Sequence, residues 1–530
     1  MKTYIFRNQT IEPLFKSCSE FYFSAYGDIQ KPRTDFDLYI FCFFLNPIAN
    51  ENATIDEIED YKIKISILLN ELPKANFIFF TLDGRYLPYW TLSTNNISSK
   101  VYQFNQNLYE LSQLNNRIRV LEISRFFDMV NLDLIIDKKY YYMSKMIINP
   151  LLCQQFEEWF QITLNAMFGT RKKCIVVDLD NTLWGGILGE DGLSGIKIGN
   201  NYPGNCFSDF QYHLKEATKN GIILAICSKN NEEDVWEAFE NHPDMGLKKN
   251  DFVSHRINWN NKASNIRSIA EELNIGIDSI IFIDDNPNER EIVKQLEPDV
   301  EVPDFPIQPY NLVSFFIEVY NKYFLAYKLT IEDKNKTDQY RINALRAENS
   351  KSVASMEDYL KSLETVVLID IANSFNIPRI AQLTQKTNQF NLTTLRYSES
   401  EILKIIEEGN LIVCATVRDK FGDSGITVVG IINIYNEMDA EIVNYLLSCR
   451  ILGREIEFAV IKTVLNYLFA KGIKRIWATY IPTFKNRQVE NFYEKLGFEV
   501  INSTNTKKKY FINLAQEFKI NESIKISINL

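Results

Sequence analysis

Two aspartates, Asp178 and Asp180, directly follow the apolar run CIVV, whose composition is typical of a buried parallel strand. Side chains two residues apart point to the same side of an extended chain, so the two carboxylates lie close together. Two like charges at that distance need a cation or a chemical role. A single D-x-D pattern is weak evidence, because acidic residues also begin ordinary turns.

Polar residues also follow other apolar runs in this part of the chain. Ser228 ends IILAICS, Asp284 and Asp285 end SIIFIDD, and Lys262 stands at the predicted start of a helix. On its own, Ser228 is typical of a helix N-cap, and a lone lysine is normally solvated. The carboxyl ends of parallel strands meet at one edge of a sheet, where ligands bind. Together, these residues therefore predict a site for a phosphate group.

The series DLDNT, Ser228, Lys262 and IDD, in that order, resembles the haloacid-dehalogenase (HAD) phosphatase superfamily. The resemblance implies that Asp178 is the nucleophile, which takes the phosphoryl group as an aspartyl-phosphate. It implies that Asp180 is the general acid and base. It further implies that Thr182 supports the phosphate loop, and that Ser228 and Lys262 bind the transferring phosphoryl group.

The same resemblance implies a Mg²⁺ ion. Its implied ligands are Asp178, the main-chain carbonyl of Asp180, and Asp284, with Asp285 as a neighbouring acid. Hard oxygen ligands suit Mg²⁺. Together with Lys262, the ion supplies the positive charge that phosphoryl transfer requires.

Longer motifs are more specific than the superfamily series. They are DLDNTLWGGILGEDG, SKN at 228–230, NW-x-x-K at 258–262, FIDDNPNER, QLTQKTNQFNLTTLRY at 382–397 and LLSCRILGREIE at 446–457. This set resembles the FkbH-like family over about 140–500. The resemblance implies a HAD subfamily IIIC phosphatase domain without a large cap, joined to a GNAT acetyltransferase-like domain. Characterised members move a glyceryl group from 1,3-bisphosphoglycerate to an acyl carrier protein thiol, with loss of phosphate.

The segment CRILGREIE resembles the coenzyme A pyrophosphate loop of GNAT enzymes, whose pattern is Q/R-x-x-G-x-G/A. Arg450 and Gly453 fit that pattern, whereas Glu455 stands where a small residue is expected. A carboxylate there would repel a pyrophosphate, which favours carrier-borne phosphopantetheine over coenzyme A. Cys449 is a candidate transient acyl carrier, because the neighbouring Arg450 favours a thiolate. A small buried cysteine explains the same residue equally well.

Alternating strands and helices predict an α/β protein with several domains. Apolar runs at 36–45 and 75–82 indicate parallel strands, with a helix at 54–72 between them. The expected order is an SGNH-like α/β domain at 1–165, a HAD-like Rossmannoid α/β domain at 171–306 and a helical connector at 307–345. A GNAT-like α+β domain at 346–515 and a polar tail at 516–530 follow. The glycine-rich loop at 184–199 is the candidate gate of the uncapped site.

Histidine restricts the chemistry of the amino-terminal domain. The three histidines are His213, His242 and His255, so residues 1–212 cannot supply a Ser-His-Asp triad. The FkbH-like resemblance implies an SGNH hydrolase-like domain there. We therefore expect a degenerate hydrolase fold that serves docking or covers the open phosphatase site.

Composition excludes other classes of protein. The 530 residues carry a formal net charge of −10 without a Lys/Arg run, which argues against nucleic-acid binding. No apolar run approaches the length of a membrane span, and none of signal-peptide length stands near the start. The eight cysteines are scattered, with no zinc-ligand spacing. A reduced, cytoplasmic protein is the simplest expectation.

The leading hypothesis is a Mg²⁺-dependent enzyme that processes a phosphorylated small acyl donor and loads the acyl group onto an acyl carrier protein. The alternative is a phosphatase of a sugar phosphate or small metabolite, with an independent GNAT-like activity in glycan or polyketide assembly. A non-catalytic scaffold is disfavoured by the intact acidic and basic set.

Overall fold

The chain folds into two compact units, Met1–Gly169 and Thr170–Leu530. The computed structural model describes residues 1–16, 20–87, 97–329, 340, 342, 346, 356–448 and 451–529. Within the second unit we call 170–329 the middle part and 356–529 the carboxyl-terminal part. None of the described helices combines the length and apolar character needed to cross a bilayer.

The described residues of the first unit form a five-stranded parallel sheet in the order β2-β1-β3-β4-β5. Alternate residues of each central strand point into two separate hydrophobic cores, because helices cover both faces. The strands are β1 Thr3–Arg7, β2 Phe21–Tyr26, β3 Leu38–Cys42, β4 Phe77–Phe80 and β5 Ile118–Leu121. The helices are α1 Glu51–Glu71, α2 Ile97–Leu114, α3 Ile123–Phe127, α4 Leu132–Ile135, α5 Lys138–Ser144 and α6 Cys153–Phe168. The predicted strands at 36–45 and 75–82 and the helix between them are confirmed.

In the middle part, the described strands form a four-stranded parallel sheet in the order β8-β7-β6-β9. Its strands are β6 Cys174–Val177, β7 Ile223–Ser228, β8 Ser254–Ile257 and β9 Ile280–Ile283. Its helices are α7 Leu188–Asp191, α8 Gly204–Lys219, α9 Glu232–Asn241, α10 Lys262–Glu272, α11 Pro287–Leu296 and α12 Leu312–Tyr323. The apolar runs predicted β6, β7 and β9, whereas β8, with the sequence SHRI, carries no such run. The sheet is buried on both faces.

The carboxyl-terminal part is built on a mixed sheet in the order β16-β17-β15-β14-β13-β12-β10-β18, with β11 paired to β14. Its strands are β10 Val366–Ile371, β11 Phe390–Asn391, β12 Leu411–Asp419, β13 Gly422–Ile434, β14 Asp439–Leu447, β15 Arg475–Tyr480, β16 Glu499–Ser503, β17 Lys508–Asn513 and β18 Lys525–Asn529. Its helices are α13 Met356–Leu363, α14 Ile377–Lys386, α15 Glu399–Glu407, α16 Ile456–Ala470 and α17 Phe492–Lys495. The chain is thus a multidomain α/β protein.

Two central strands of this mixed sheet separate along their length. The parallel pairing of β14 with β15 joins Asp439–Ile442 to Arg475–Ala478, although β14 continues to Leu447. Beyond that point β14 pairs instead with the short strand β11, at Leu446 and Leu447. The segment at β11 lies between the two strands there, because the Leu392 N–H donates to the Tyr445 carbonyl at 3.1 Å and the Ile481 N–H donates to the Leu392 carbonyl at 2.8 Å.

The expectation of a tail needs correction, whereas the expected helical connector does contain a helix, α12. The expected tail at 516–530 contains β18, which pairs in parallel with β10 and extends the sheet. The strand is mostly exposed, but the alternation of apolar and polar residues in IKISINL at 524–530 is a period-2 strand signal that the expectation of a polar tail overlooked. The expected connector at 307–345 contributes α12, whose Leu312, Phe316 and Val319 are buried in the core of the middle part.

Candidate functional site

Asp178 lies directly after β6, at the carboxyl edge of the middle sheet. Its side chain is buried, and its main-chain N–H donates to the carbonyl of Ile283, 2.9 Å away, at the end of neighbouring β9. Its Oδ2 lies 3.1 Å from the Nζ of Lys262. Its Oδ1 is buried and finds no hydrogen-bond partner among the described residues. A buried, unpaired carboxylate oxygen is costly unless a ligand or cation completes it.

Lys262 is the first residue of α10, which is capped by the Asn261 side chain. Its Nζ lies 2.5 Å from Asp284 Oδ2, and the side chain is almost fully buried. Burial alone would lower the pKa of Lys262, but the charges of Asp178 and Asp284 outweigh it and raise the pKa. The lysine is therefore a fixed positive charge inside the site.

Three aspartates form a cluster around this lysine. Asp178, Asp284 and Asp285 each offer a carboxylate oxygen within 4.8 Å of the others. Burial, together with the charge of Asp178, raises the pKa of Asp284 and of Asp285. Such a set of hard oxygen donors, one of them unpaired, fits a Mg²⁺ ion. The carboxylate of Asp180 is not part of this cluster.

The loop after β9 is held by two further side chains. The Thr182 hydroxyl accepts from the Asp285 N–H at 3.1 Å and lies 3.4 Å from its Oδ1. Arg290 donates to the main-chain carbonyls of Asp284 and Asp285, at 2.9 and 2.7 Å. Sequence reasoning gave Arg290 no role, although it lies in the motif FIDDNPNER.

Asp180 is oriented by three donors. Its Oδ1 accepts from the Trp184 indole N–H at 2.9 Å and from the Leu188 main-chain N–H at 3.0 Å. Its Oδ2 accepts from the Asn230 amide at 2.9 Å, and the same amide lies 3.4 Å from Ser228 Oγ. Asn230 thus joins Asp180 to the end of β7. The sequence motifs contain both Trp184 and Asn230, but nothing in their spacing revealed these contacts.

The glycine-rich loop at 184–199, which was expected to act as a gate, begins with a buried residue. Trp184 is fully buried, and the main chains of Gly185 and Lys197 form a bridge across the base of the loop. Asn181 accepts from the Gly186 N–H at 2.9 Å. These contacts anchor both ends of the loop and place its first residues against Asp180.

The predicted acyl-transfer residues lie only partly within the described chain. Cys449 and Arg450 lie outside the described residues. Gly453 has a φ of +79°, and Glu455 adopts the left-handed conformation, with φ +56°, directly before α16. The Glu455 carboxylate accepts from Asn521 at 2.7 Å, so it is held by the carboxyl-terminal segment. Its backbone explains why a small residue suits this position.

The polar stretch at 382–397 packs internally. Thr384 and Asn391 are fully buried, and the Thr384 hydroxyl accepts from the Tyr397 N–H at 3.0 Å. The Asn486 amide donates to the Asn391 carbonyl at 2.9 Å, which ties the stretch to the segment after β15. Much of this polarity is therefore explained by packing between the ends of β14 and β15.

Comparisons with known proteins support the phosphatase-like fold. No protein-family model and no curated protein matches the chain. The chain is similar to the crystal structure of the N-terminal part of BF1531 from Bacteroides fragilis, described as containing a phosphatase domain complexed with Mg. Identity is 26%, covering 62% of this chain and 95% of that one, with a TM-score of 0.52.

Other solved structures show lower similarity scores. Against the ribosomal-protein-S18-alanine N-acetyltransferase from Escherichia coli, the identity is 13% over 29% of this chain and 97% of the other, with a TM-score of 0.24. Against the PaiA N-acetyltransferase from Thermoplasma acidophilum in complex with coenzyme A, the identity is 20% over 22% of this chain and 72% of the other, with a TM-score of 0.19. The FkbH-like resemblance and the individual site roles stay predictions.

Proposed function

We propose that the middle part is a Mg²⁺-dependent phosphatase or phosphotransferase in which Asp178 becomes phosphorylated. The proposal depends on the contacts of the two carboxylate oxygens of Asp178. One oxygen is paired with buried Lys262, and the other is buried without a partner among the described residues, beside Asp284 and Asp285. The phosphatase domain of BF1531, crystallised with Mg, supports the assignment.

The reaction proceeds in two balanced steps. The Asp178 carboxylate forms a bond to phosphorus while the bond from phosphorus to the leaving oxygen breaks, and Asp180 donates a proton to that oxygen. Water then attacks the acyl phosphate, Asp180 takes its proton, and orthophosphate leaves as the Asp178 carboxylate is restored. The contacts of Asp180 with Trp184, Leu188 and Asn230 orient it for both transfers.

The surrounding groups hold the transferring phosphoryl group. Lys262 and the Ser228 hydroxyl supply a charge and a hydrogen-bond donor in a site with little water. Mg²⁺, held by oxygens of Asp178, Asp284 and Asp285, would add positive charge against the phosphate oxygens. Arg290 and Thr182 act through the loop that carries two of those aspartates.

We propose further that the carboxyl-terminal part transfers an acyl group of the glyceryl type to the thiol of an acyl carrier protein. The tight turn at Gly453–Glu455, directly before α16, supports it as a place for a phosphopantetheine arm. The middle and carboxyl-terminal parts also belong to one compact unit. Cys449 is the candidate transient carrier of the acyl group.

Phosphate release from a panel of phosphate monoesters, with Mg²⁺ or with EDTA, tests the first proposal. We expect Mg²⁺-dependent release that falls by at least about 10³-fold in Asp178→Asn, because the nucleophile is lost. Asp180→Asn should lose about 10²–10⁴-fold, the usual contribution of general acid–base catalysis. Asp209→Asn, an exposed aspartate on α8, is the matched control and should keep full activity. Unchanged turnover in Asp178→Asn would refute the assignment.

Intact-mass spectrometry tests the acyl transfer. The protein is mixed with Mg²⁺, an acyl carrier protein and 1,3-bisphosphoglycerate generated in place. A glyceryl increment on the carrier supports coupled loading, and its loss in Cys449→Ala with phosphate release retained supports the thiol as carrier. Phosphate release without any acylated protein would refute coupling and leave a phosphatase with an independent second activity.

A further inference from the structure

A cavity of about 500 Å³ lies within the second unit, on the side of the middle sheet away from Asp178. Lys173, Gly221 and Ser279, which line it, lie one or two residues before the starts of β6, β7 and β9. The phosphatase site lies at the opposite ends of these strands, and a four-residue strand such as β6 spans roughly 13 Å. We call this space the basal cavity.

The other wall of the basal cavity comes from the carboxyl-terminal part. It is formed by Arg379, Gln382, Leu383 and Lys386 of α14, by the loop that follows this helix, and by Leu447 and Ser448 at the end of β14. An ion pair between Lys485 and Asp278 joins the two walls. The cavity therefore lies where the two parts meet, and it borders the end of β14.

The lining of the basal cavity is positively charged. Among its described residues, three are acidic: Asp278, Asp299 and Glu301. Six are basic: Arg171, Lys172, Lys173, Arg379, Lys386 and Lys485. Lys485 pairs with Asp278, and Lys172 lies 3.5 Å from Glu301. Basic side chains thus outnumber acidic ones two to one among the described lining residues, which favours an anion, in a chain whose net charge is negative.

Two side chains in the wall add directional recognition. Arg379 is buried, and its guanidinium is fixed by Gln382 and by the Ile426 carbonyl, 3.4 Å away. A fixed guanidinium suits the paired oxygens of a phosphate. Gln389 Oε1 is buried and has no hydrogen-bond partner among the described residues. A ligand hydroxyl or amide N–H would satisfy that oxygen.

We propose that the basal cavity binds a small organic phosphate that also carries a hydrogen-bond donor. Its phosphate lies against the basic wall that includes Lys173 and Arg379, and its donor faces Gln389. The volume suits a small metabolite or a phosphopantetheine arm, and either source offers this chemistry. Binding here does not use Asp178. Only the idea that the ligand takes part in acyl transfer beside β14 rests on the proposed function.

Lysine footprinting of the full chain tests the proposal without turnover. An amine-reactive label and mass spectrometry measure the labelling rates of Lys173 and Lys386 in EDTA. The probes are 4′-phosphopantetheine and glucose 1-phosphate, with pantetheine and glucose as their phosphate-free counterparts. We expect about tenfold protection at a probe concentration of about ten times its dissociation constant. Exposed Lys507 is the internal control and should label at an unchanged rate.

Calorimetry on charge-reversal variants gives a second measurement. Lys173→Glu and Lys386→Glu should each weaken binding of the protective probe at least about tenfold, or 1.4 kcal/mol. Lys507→Glu changes the net charge equally and should bind as the wild type does. Protection by one phosphate probe alone identifies the source of the ligand and supports the proposal. Protection by neither probe, or equal protection by the phosphate-free compounds, would overturn it even if phosphatase activity is found.

Discussion

Replacing Lys262 by methionine separates the electrostatic role of this lysine from its packing. Methionine keeps a long apolar side chain but removes the ammonium that lies 3.1 Å from Asp178 and 2.5 Å from Asp284. In the absence of Mg²⁺, three neighbouring aspartates then lose their nearest cation. We expect a large loss of stability in EDTA and recovery of much of it with Mg²⁺.

The expected size follows from the burial of the pair. Removing one partner of a buried ion pair costs about 3–5 kcal/mol, because the remaining charge is left uncompensated. At about 2 °C per kcal/mol for a unit of this size, the second unit should melt about 6–10 °C lower in EDTA. A ligand at a hundred times its dissociation constant adds about 2.7 kcal/mol, so saturating Mg²⁺ should restore roughly half or more of the loss. Phosphate release should still fall by about 10²–10³-fold, because the charge on the phosphoryl group is gone.

Differential scanning calorimetry with and without Mg²⁺ resolves the transition of the second unit. The matched control is Lys294→Met on α11, which removes a lysine paired with exposed Asp304 at 3.3 Å. A surface pair of this kind contributes about 1 kcal/mol or less, and its loss should not depend on Mg²⁺. If Lys262→Met melts like this control in both conditions, the aspartate cluster is not held by Lys262 and the electrostatic argument fails.

Three further changes probe other contacts. Asn230→Ala should lower the rate of phosphate release about tenfold to a hundredfold, because Asp180 loses the donor to its Oδ2. The control Asn241→Ala, at an exposed residue, should keep the wild-type rate. Equal rates in the two variants would contradict a role of Asn230 in orienting Asp180. Burial raises the pKa of Glu57, so the folded protein favours the protonated carboxyl group and the free energy of unfolding falls as pH rises from about 4.5. Glu57→Gln removes this titration, so in urea titrations the variant should gain stability relative to wild type over that range. A difference that does not depend on pH would speak against this prediction. Because Glu455 has a left-handed backbone, Glu455→Val should be destabilised by more than about 1 kcal/mol in thermal unfolding, whereas Glu455→Gly should stay within about 1 kcal/mol of wild type. Similar losses in the two variants would contradict a left-handed backbone at this position.

In the middle part, the sequence predicted those site residues whose positions are determined by the strands they follow. Apolar runs ending in Asp178, Ser228 and Asp284 fix these residues to one edge, because parallel strands share their direction. The contacts of Trp184 and Asn230 with Asp180 follow instead from the path of two loops. No periodicity encodes a loop path, so these partners were visible only in the structure.

Strands β8 and β18 were missed for different reasons. In β8 the two middle residues, His255 and Arg256, are partly exposed, which leaves no apolar run. This segment is a strand because β7 pairs with it, and pairing with a distant segment is not written into local composition. In β18 the signal was present, because apolar and polar residues alternate in IKISINL at 524–530, but the expectation of a polar tail overlooked it.

The position of β18 has a consequence for how the carboxyl-terminal part is completed during synthesis. It pairs with β10 from Val366 to Asp370, so the first and last strands of this part lie side by side although the rest of its sequence separates them. Until Lys525–Asn529 leaves the ribosome, one side of β10 has bare N–H and C=O groups. A fragment that stopped at residue 515, where the sequence suggested a boundary, would keep that bare edge and recruit strands from other molecules.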